Sequence, residues 1–109
     1  MENHQKEFKK VEERCIRQKD EEPFIDAFVK RLFYLLSKDE YSATKRDYFL
    51  STAYAIRDHL ATRWFKTQQE YYNQNAKRVY YLSMEFLMGR ALGNNMINLG
   101  IYGECAENL

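Results

Sequence analysis

The chain has 109 residues, 45% of them hydrophobic and 16% aromatic, enough for one small domain with a core. Seventeen Lys and Arg against sixteen Asp and Glu leave a formal net charge of +1, without the basic stripe of a nucleic-acid binder or the polybasic patch of a membrane-surface protein. No apolar run nears the roughly 20 residues that span a bilayer, and no apolar export signal is expected in the charged N-terminus. Cys15 and Cys105 lie far apart without metal-ligand spacing, so a reducing, cytoplasmic setting is expected.

Residues 1–22, MENHQKEFKKVEERCIRQKDEE, read as a charged N-terminal arm. Phe8, Val11 and Ile16 fit either a weak helical stripe or a mobile segment. From residue 23 to 109 the pattern is that of a folded domain. Pro23 after Asp20, Glu21 and Glu22 suits a helix start, and Phe24, Phe28, Leu32, Leu35 and Leu36 recur at helical spacing to about Ser37. KDEYSA is a polar connector, and Thr44 with Asp47 resembles a capping box. Residues 45–73 contain no Gly or Pro, and Phe49, Ala53, Ile56, Leu60, Trp64, Thr67 and Tyr71 share a face, which predicts one long helix buried along that stripe. NQNA breaks the period. The continuous apolar run Val79–Ser83 then predicts a strand buried on both faces. Met88, Leu92, Met96 and Leu99 start a further helix, with Gly100 and Gly103 as its exit.

The expected order is helix, long helix, buried strand, helix. A single strand leaves its backbone N–H and C=O groups without partners, so the chain reads as an incomplete piece of a larger α/β sheet protein.

Three stretches carry candidate chemistry. Glu85 lies just past the C-terminal end of the expected strand, where open α/β sheets form ligand crevices. It suits either a substrate-facing carboxylate or a local pairing with Arg90. In GRALGNN, Gly89 and Gly93 stand four apart and suit close helix packing; without a following Lys-Ser/Thr this is no phosphate loop. In TQQEYY, Gln68 and Tyr72 share a helical face and offer an amide and a ring to a flat polar ligand, or to a packing partner. Neither His4 nor His59 has a second ligand at metal spacing, and no local nucleophile set assembles, so no metal site is expected.

RDHLATRWFKTQQEYY together with KRVYYLSMEFLMGRALGNNMINLG strongly resembles the N-terminal part of the α-1,4-glucan phosphorylases of glycogen, starch and maltodextrin. The resemblance implies a mainly helical N-terminal fragment of a large two-domain α/β enzyme with nucleotide-binding-like sheets. It also implies transfer of a terminal glucosyl unit to phosphate, giving α-D-glucose 1-phosphate with retention, with pyridoxal phosphate as cofactor and a homodimer as the assembly. Glu85 would line the catalytic cleft without being the proton donor. The cofactor lysine would lie beyond residue 109, leaving this chain alone inactive. Gln68, Gln69 and Tyr72 would match an AMP-like effector site, and Asp39, Tyr41 and Ser42 the cap contributed by the other subunit, with Tyr41 and Ser42 departing from the animal cap. No serine precedes Ser37, and the positions of the animal phosphoserine-binding arginines read Glu40 and Lys66, so no phospho-switch of that kind is expected. The competing reading is a non-catalytic helical module that binds a phosphorylase subunit or another partner.

Overall fold

The computed structural model describes residues 2–108, with the side chains of residues 5–17 and 22–107. His4, Asp20 and Glu21 lie outside the described side chains. Five α-helices follow in order: α1 (Glu2–Glu21), α2 (Phe24–Lys30), α3 (Lys45–Asn73), α4 (Leu92–Leu99) and α5 (Tyr102–Asn108), with α2 prolonged by a π-helical turn over Arg31–Leu35. The chain is mainly helical, and no strand occurs among the described residues.

The charged head forms a 20-residue helix. It lies against α3, and Phe8, Val11, Cys15 and Ile16 face Ala61, Thr62 and Phe65 across an apolar cavity of about 480 Å³. Pro23 sits at the N-cap of α2, one place before the expected first turn. With no side-chain cap of its own, α2 takes one from far along the chain: the Phe24 N–H donates to Glu104 Oε1 of α5 at 2.8 Å. That carboxylate also faces the positive end of the helix dipole. The first helix stops where expected, with Ser37 in the left-handed region at φ 52°. Leu36 N–H donates to Arg31 O, the i to i−5 bond of the π turn.

The boundaries of α3 fall where the sequence puts them. Asp47 N–H donates to Thr44 Oγ1, and Asp47 Oδ2 accepts from the Thr44 N–H at 2.8 Å, a complete capping box. The helix closes in a Schellman turn: Ala76 N–H donates to Tyr71 O and Asn75 N–H to Tyr72 O, with Asn75 left-handed at φ 48°.

Which face of α3 is buried departs from expectation. Ser51, Thr52, Ala55, Ile56 and Thr62 are the buried positions, whereas Phe49, Trp64 and Tyr71 of the expected stripe are exposed. Small side chains let α2 approach so closely that the Ser51 hydroxyl donates to Phe28 O at 2.5 Å. The buried threonines bond back to the preceding turn, Thr52 Oγ1 to Tyr48 O and Thr62 Oγ1 to Asp58 O, so no hydroxyl is stranded. α2 and its π turn measure about 18 Å against about 43 Å for α3, so they cover only part of its length, and Phe49, Trp64 and Tyr71 stay open.

The core gathers Phe24, Ala27, Phe28 and Leu32 of α2 and its π turn, Ala55 and Ile56 of α3, Met96 and Leu99 of α4, and Cys105 of α5. Tyr48 stacks on Phe28 at 5.9 Å between centroids. Arg31 Nε and Nη2 hold both carboxylate oxygens of Asp58, at 2.7 and 2.6 Å, tying the π turn to α3 in a fork–fork pair. Arg63 Nη2 donates to Leu99 O and ties α3 to the end of α4.

The expected buried strand is not formed. Val79, Tyr80, Tyr81 and Leu82 are 88, 78, 78 and 92% exposed, on an irregular segment. A strand needs a neighbouring strand for its backbone groups, and the described chain supplies none. The third expected helix starts at Leu92 rather than Met88, so Gly89 lies outside it and does not share a helical face with Gly93. A Cβ at either glycine would meet nothing within 4 Å, so neither mediates close packing here. Gly100, at φ 77°, ends α4, while Gly103 belongs to α5, which the sequence reading missed.

Candidate functional site

The long helix α3 carries candidate residues at its two ends. At its start, the connector folds on itself: Ser42 N–H and Oγ donate to Asp39 Oδ1 at 2.8 and 2.5 Å, and Asp39 N–H donates to Ser42 Oγ. The Ser42 hydroxyl and N–H hold the Asp39 carboxyl below its ordinary value. Tyr41 beside them is 92% exposed and makes no ring contact among the described residues.

At its other end, Trp64, Gln68 and Tyr71, spaced four and three apart, form one wall of a groove of about 490 Å³. The Schellman turn folds the chain back so that Ala76, Lys77, Arg78, Val79 and Tyr80 form the other wall. The lining holds three aromatic rings, an amide, two cations and no carboxylate. Gln68 is half-buried, whereas Gln69 and Tyr72 lie exposed on the adjoining side of the helix. The Arg78 guanidinium lies over the Tyr72 ring, 4.6 Å from its centroid. Gln68 and Tyr72 therefore stand close together, as their spacing implies. The sequence reading missed Arg78 and Lys77 as neighbours and assigned Trp64 and Tyr71 to the core stripe. The Asn75 turn signal, followed by two cations, was the clue to them.

The two ends do not meet. From Lys45 to Gln68 the helix rises about 35 Å, so within one chain Asp39, Tyr41 and Ser42 cannot reach Gln68, Gln69 and Tyr72.

Glu85 is exposed on the irregular segment, its N–H donating to Ser83 Oγ at 3.0 Å. Met84 and Leu87 on either side are fully exposed, and Tyr81 meets Phe86 edge to face at 5.8 Å. The crevice expected around Glu85 is not formed by this chain, because the strand that was to deliver it has no sheet. A pyridoxal phosphate site calls for a lysine amine in a sheltered pocket with donors for the phosphate. The lysines with described side chains are exposed, apart from half-buried Lys38 at the connector, and the residues present do not fit that cofactor.

Among the described residues no helix is long and apolar enough to cross a membrane. No family model matches the chain. In sequence it is 52% identical over 81 residues to the brain form of glycogen phosphorylase from Bos taurus, which is 74% of this chain and 10% of that protein. It is 53% identical over 81 residues to the liver form from Homo sapiens, covering the same shares. It is 55% identical over 80 residues to the liver form from Bos taurus, 73% of this chain and 9% of that protein. The chain thus spans about a tenth of the length of these relatives. An uninterrupted match of 81 residues within 109 necessarily takes in residues 29–81, and so the connector, all of α3 and the groove up to Tyr80.

Proposed function

We propose, since this chain belongs over its matched segment to the glycogen phosphorylase family as an N-terminal segment, that it is the N-terminal part of an α-1,4-glucan phosphorylase. The enzyme transfers a terminal glucosyl unit from glycogen or a related glucan to phosphate and gives α-D-glucose 1-phosphate with retention. Identity above one half through about 80 residues carries this reading.

Within such an enzyme the roles of this chain's residues follow from their chemistry. Val79–Ser83 pairs with strands from elsewhere in the subunit, and the sheet then buries the apolar residues that stand exposed here. Glu85 is thereby brought to the edge of the cleft, where a carboxylate accepts hydrogen bonds from sugar hydroxyls without donating the catalytic proton. Pyridoxal phosphate is held by residues outside this chain, which is accordingly inactive by itself. The 35 Å between the two ends of α3 favours a homodimer in which Asp39, Tyr41 and Ser42 of one protomer cap Gln68, Gln69 and Tyr72 of the other, around an AMP-like effector. Glu40 at the rim of that cap repels phosphate, so no phosphoserine switch operates there. The protein works in the cytoplasm.

The test is phosphorolysis by the polypeptide isolated from its source, with glycogen and inorganic phosphate as substrates. Phosphate-dependent release of glucose 1-phosphate is expected, with a fall of at least ten-fold in Glu85→Ala; absence of phosphate-dependent release sinks the reading. The exposed apolar segment 79–88 favours one alternative, a non-catalytic module that docks on a phosphorylase subunit or another partner. That reading leaves the isolated polypeptide without activity but bound to another chain.

A further inference from the structure

We infer that the space between α1 and α3 is a small-molecule site for an arylalkylamine: its ring sits against both helices, and its ammonium pairs with the Glu12 carboxylate. The site is separate from the two ends of α3 and from Glu85, and it does not depend on glucan chemistry.

Three observations carry it. The first is the space itself. Phe8, Val11 and Ile16 of α1 face Ala61 and Phe65 of α3 across about 480 Å³, within the range of about 300–1,000 Å³ typical of small-molecule sites. Packed helices ordinarily interdigitate and leave few voids larger than a water molecule, so this gap exceeds what helix packing alone leaves. The second is Glu12. It lies four positions from both Phe8 and Ile16, so a carboxylate interrupts the apolar stripe of α1 on the face turned to α3. Glu12 is half-buried there and has no ion pair or hydrogen bond among the described residues. A carboxylate that loses water against hydrocarbon gains from a cation placed on it. The third is that the other polar groups lining the space are engaged. The Arg31 guanidinium holds the Asp58 carboxylate, and the Thr62 hydroxyl donates to the Asp58 carbonyl. Glu12 is thus the group that selects the charge of the ligand. It favours a protonated amine and repels an aryl acid of the same size.

Cys15 lines the space and Cys105 is buried, so the rate at which a thiol reagent modifies the native chain reports occupancy. Three probes share one ring and differ in head group: phenethylamine, phenethyl alcohol and hydrocinnamate. Each is titrated at neutral pH into the unaltered chain and into its Glu12→Gln and Ala61→Phe variants, with helical circular dichroism as the check on folding. The amine is expected to slow Cys15 modification at a concentration about two- to five-fold lower than the alcohol needs, the size of one partly screened ion pair, with hydrocinnamate weakest. In Glu12→Gln the amine falls to the level of the alcohol. In Ala61→Phe, which fills the space, no probe slows the reaction. Absence of protection by every probe in the unaltered chain overturns the site, as does protection that persists in a folded Ala61→Phe. Alcohol or hydrocinnamate acting as well as the amine, or an amine preference that survives in Glu12→Gln, overturns the assignment of an amine. Should Ala61→Phe fail to fold, the order of the probes and its loss in Glu12→Gln decide the matter.

Discussion

At the scale of single residues, the fold depends on a serine where a large apolar residue would ordinarily stand. Ser51 is fully buried, and its hydroxyl answers Phe28 O at the closest approach of α2 to α3. Ser51→Ala removes one hydrogen bond and is expected to cost about 1 kcal/mol, while Ser51→Leu overpacks the contact at about 1–3 kcal/mol. Urea unfolding measures both, and a leucine variant as stable as the parent would contradict the close approach. The cysteines divide in the same way. Burial, with Glu104 adjacent, pushes the Cys105 thiol up to about 11, while Cys15 is exposed on α1. A thiol reagent at neutral pH is expected to modify Cys15 rapidly and Cys105 only after unfolding. Asp47 is held below the ordinary aspartate value of 3.8 by the Thr44 backbone and hydroxyl. A depressed folded value means that its stabilisation is present above 3.8 and lost as pH falls through the lower folded value. In Thr44→Ala, which keeps the backbone donor and loses the hydroxyl, the Asp47 titration, followed by NMR, should move part of the way back towards 3.8; an unmoved titration would mean that the hydroxyl does not contribute. Thr44 and Asp47 were legible as a pair because they sit three positions apart. Arg78 was not, because it reaches Tyr72 through a chain reversal that periodicity cannot describe.

At the scale of elements, α3 is the best-specified part of the sequence. A capping box, an interior free of Gly and Pro, and Asn75 at a left-handed position fix both its ends. Its buried face was not legible, because that depends on how much of the helix α2 covers. The segment Val79–Met88 is the converse case. Its composition is that of a buried strand, but strand formation is decided by a partner's backbone, which the local sequence does not contain. Hydrogen exchange should therefore find residues 77–90 unprotected and the middle of α3 strongly protected. Leu82→Lys, at a position 92% exposed, should leave the unfolding midpoint within about 0.5 kcal/mol while reducing aggregation. A large loss of stability in that variant would mean that the segment is already packed.

At the scale of the whole molecule, two independent lines meet. The chain exposes a run of large apolar side chains, and it matches about a tenth of the length of glycogen phosphorylases at 52–55% identity. The resemblance was legible from the motif around Glu85 and from the end of α3. The crevice was not, because a cleft is assembled from segments distant in sequence, and Glu85 alone cannot form one. The connector and the groove are held about 35 Å apart by one rigid helix, the distance that the proposed homodimer would have to bridge.

The most direct measurement is the mass of the native polypeptide that contains RVYYLSMEF, isolated from its source and identified by that peptide. The proposal that these residues open a glucan phosphorylase subunit expects a chain several times heavier than 13.2 kDa that releases glucose 1-phosphate from glycogen with phosphate. A native chain of 13.2 kDa, silent in that assay, would contradict it.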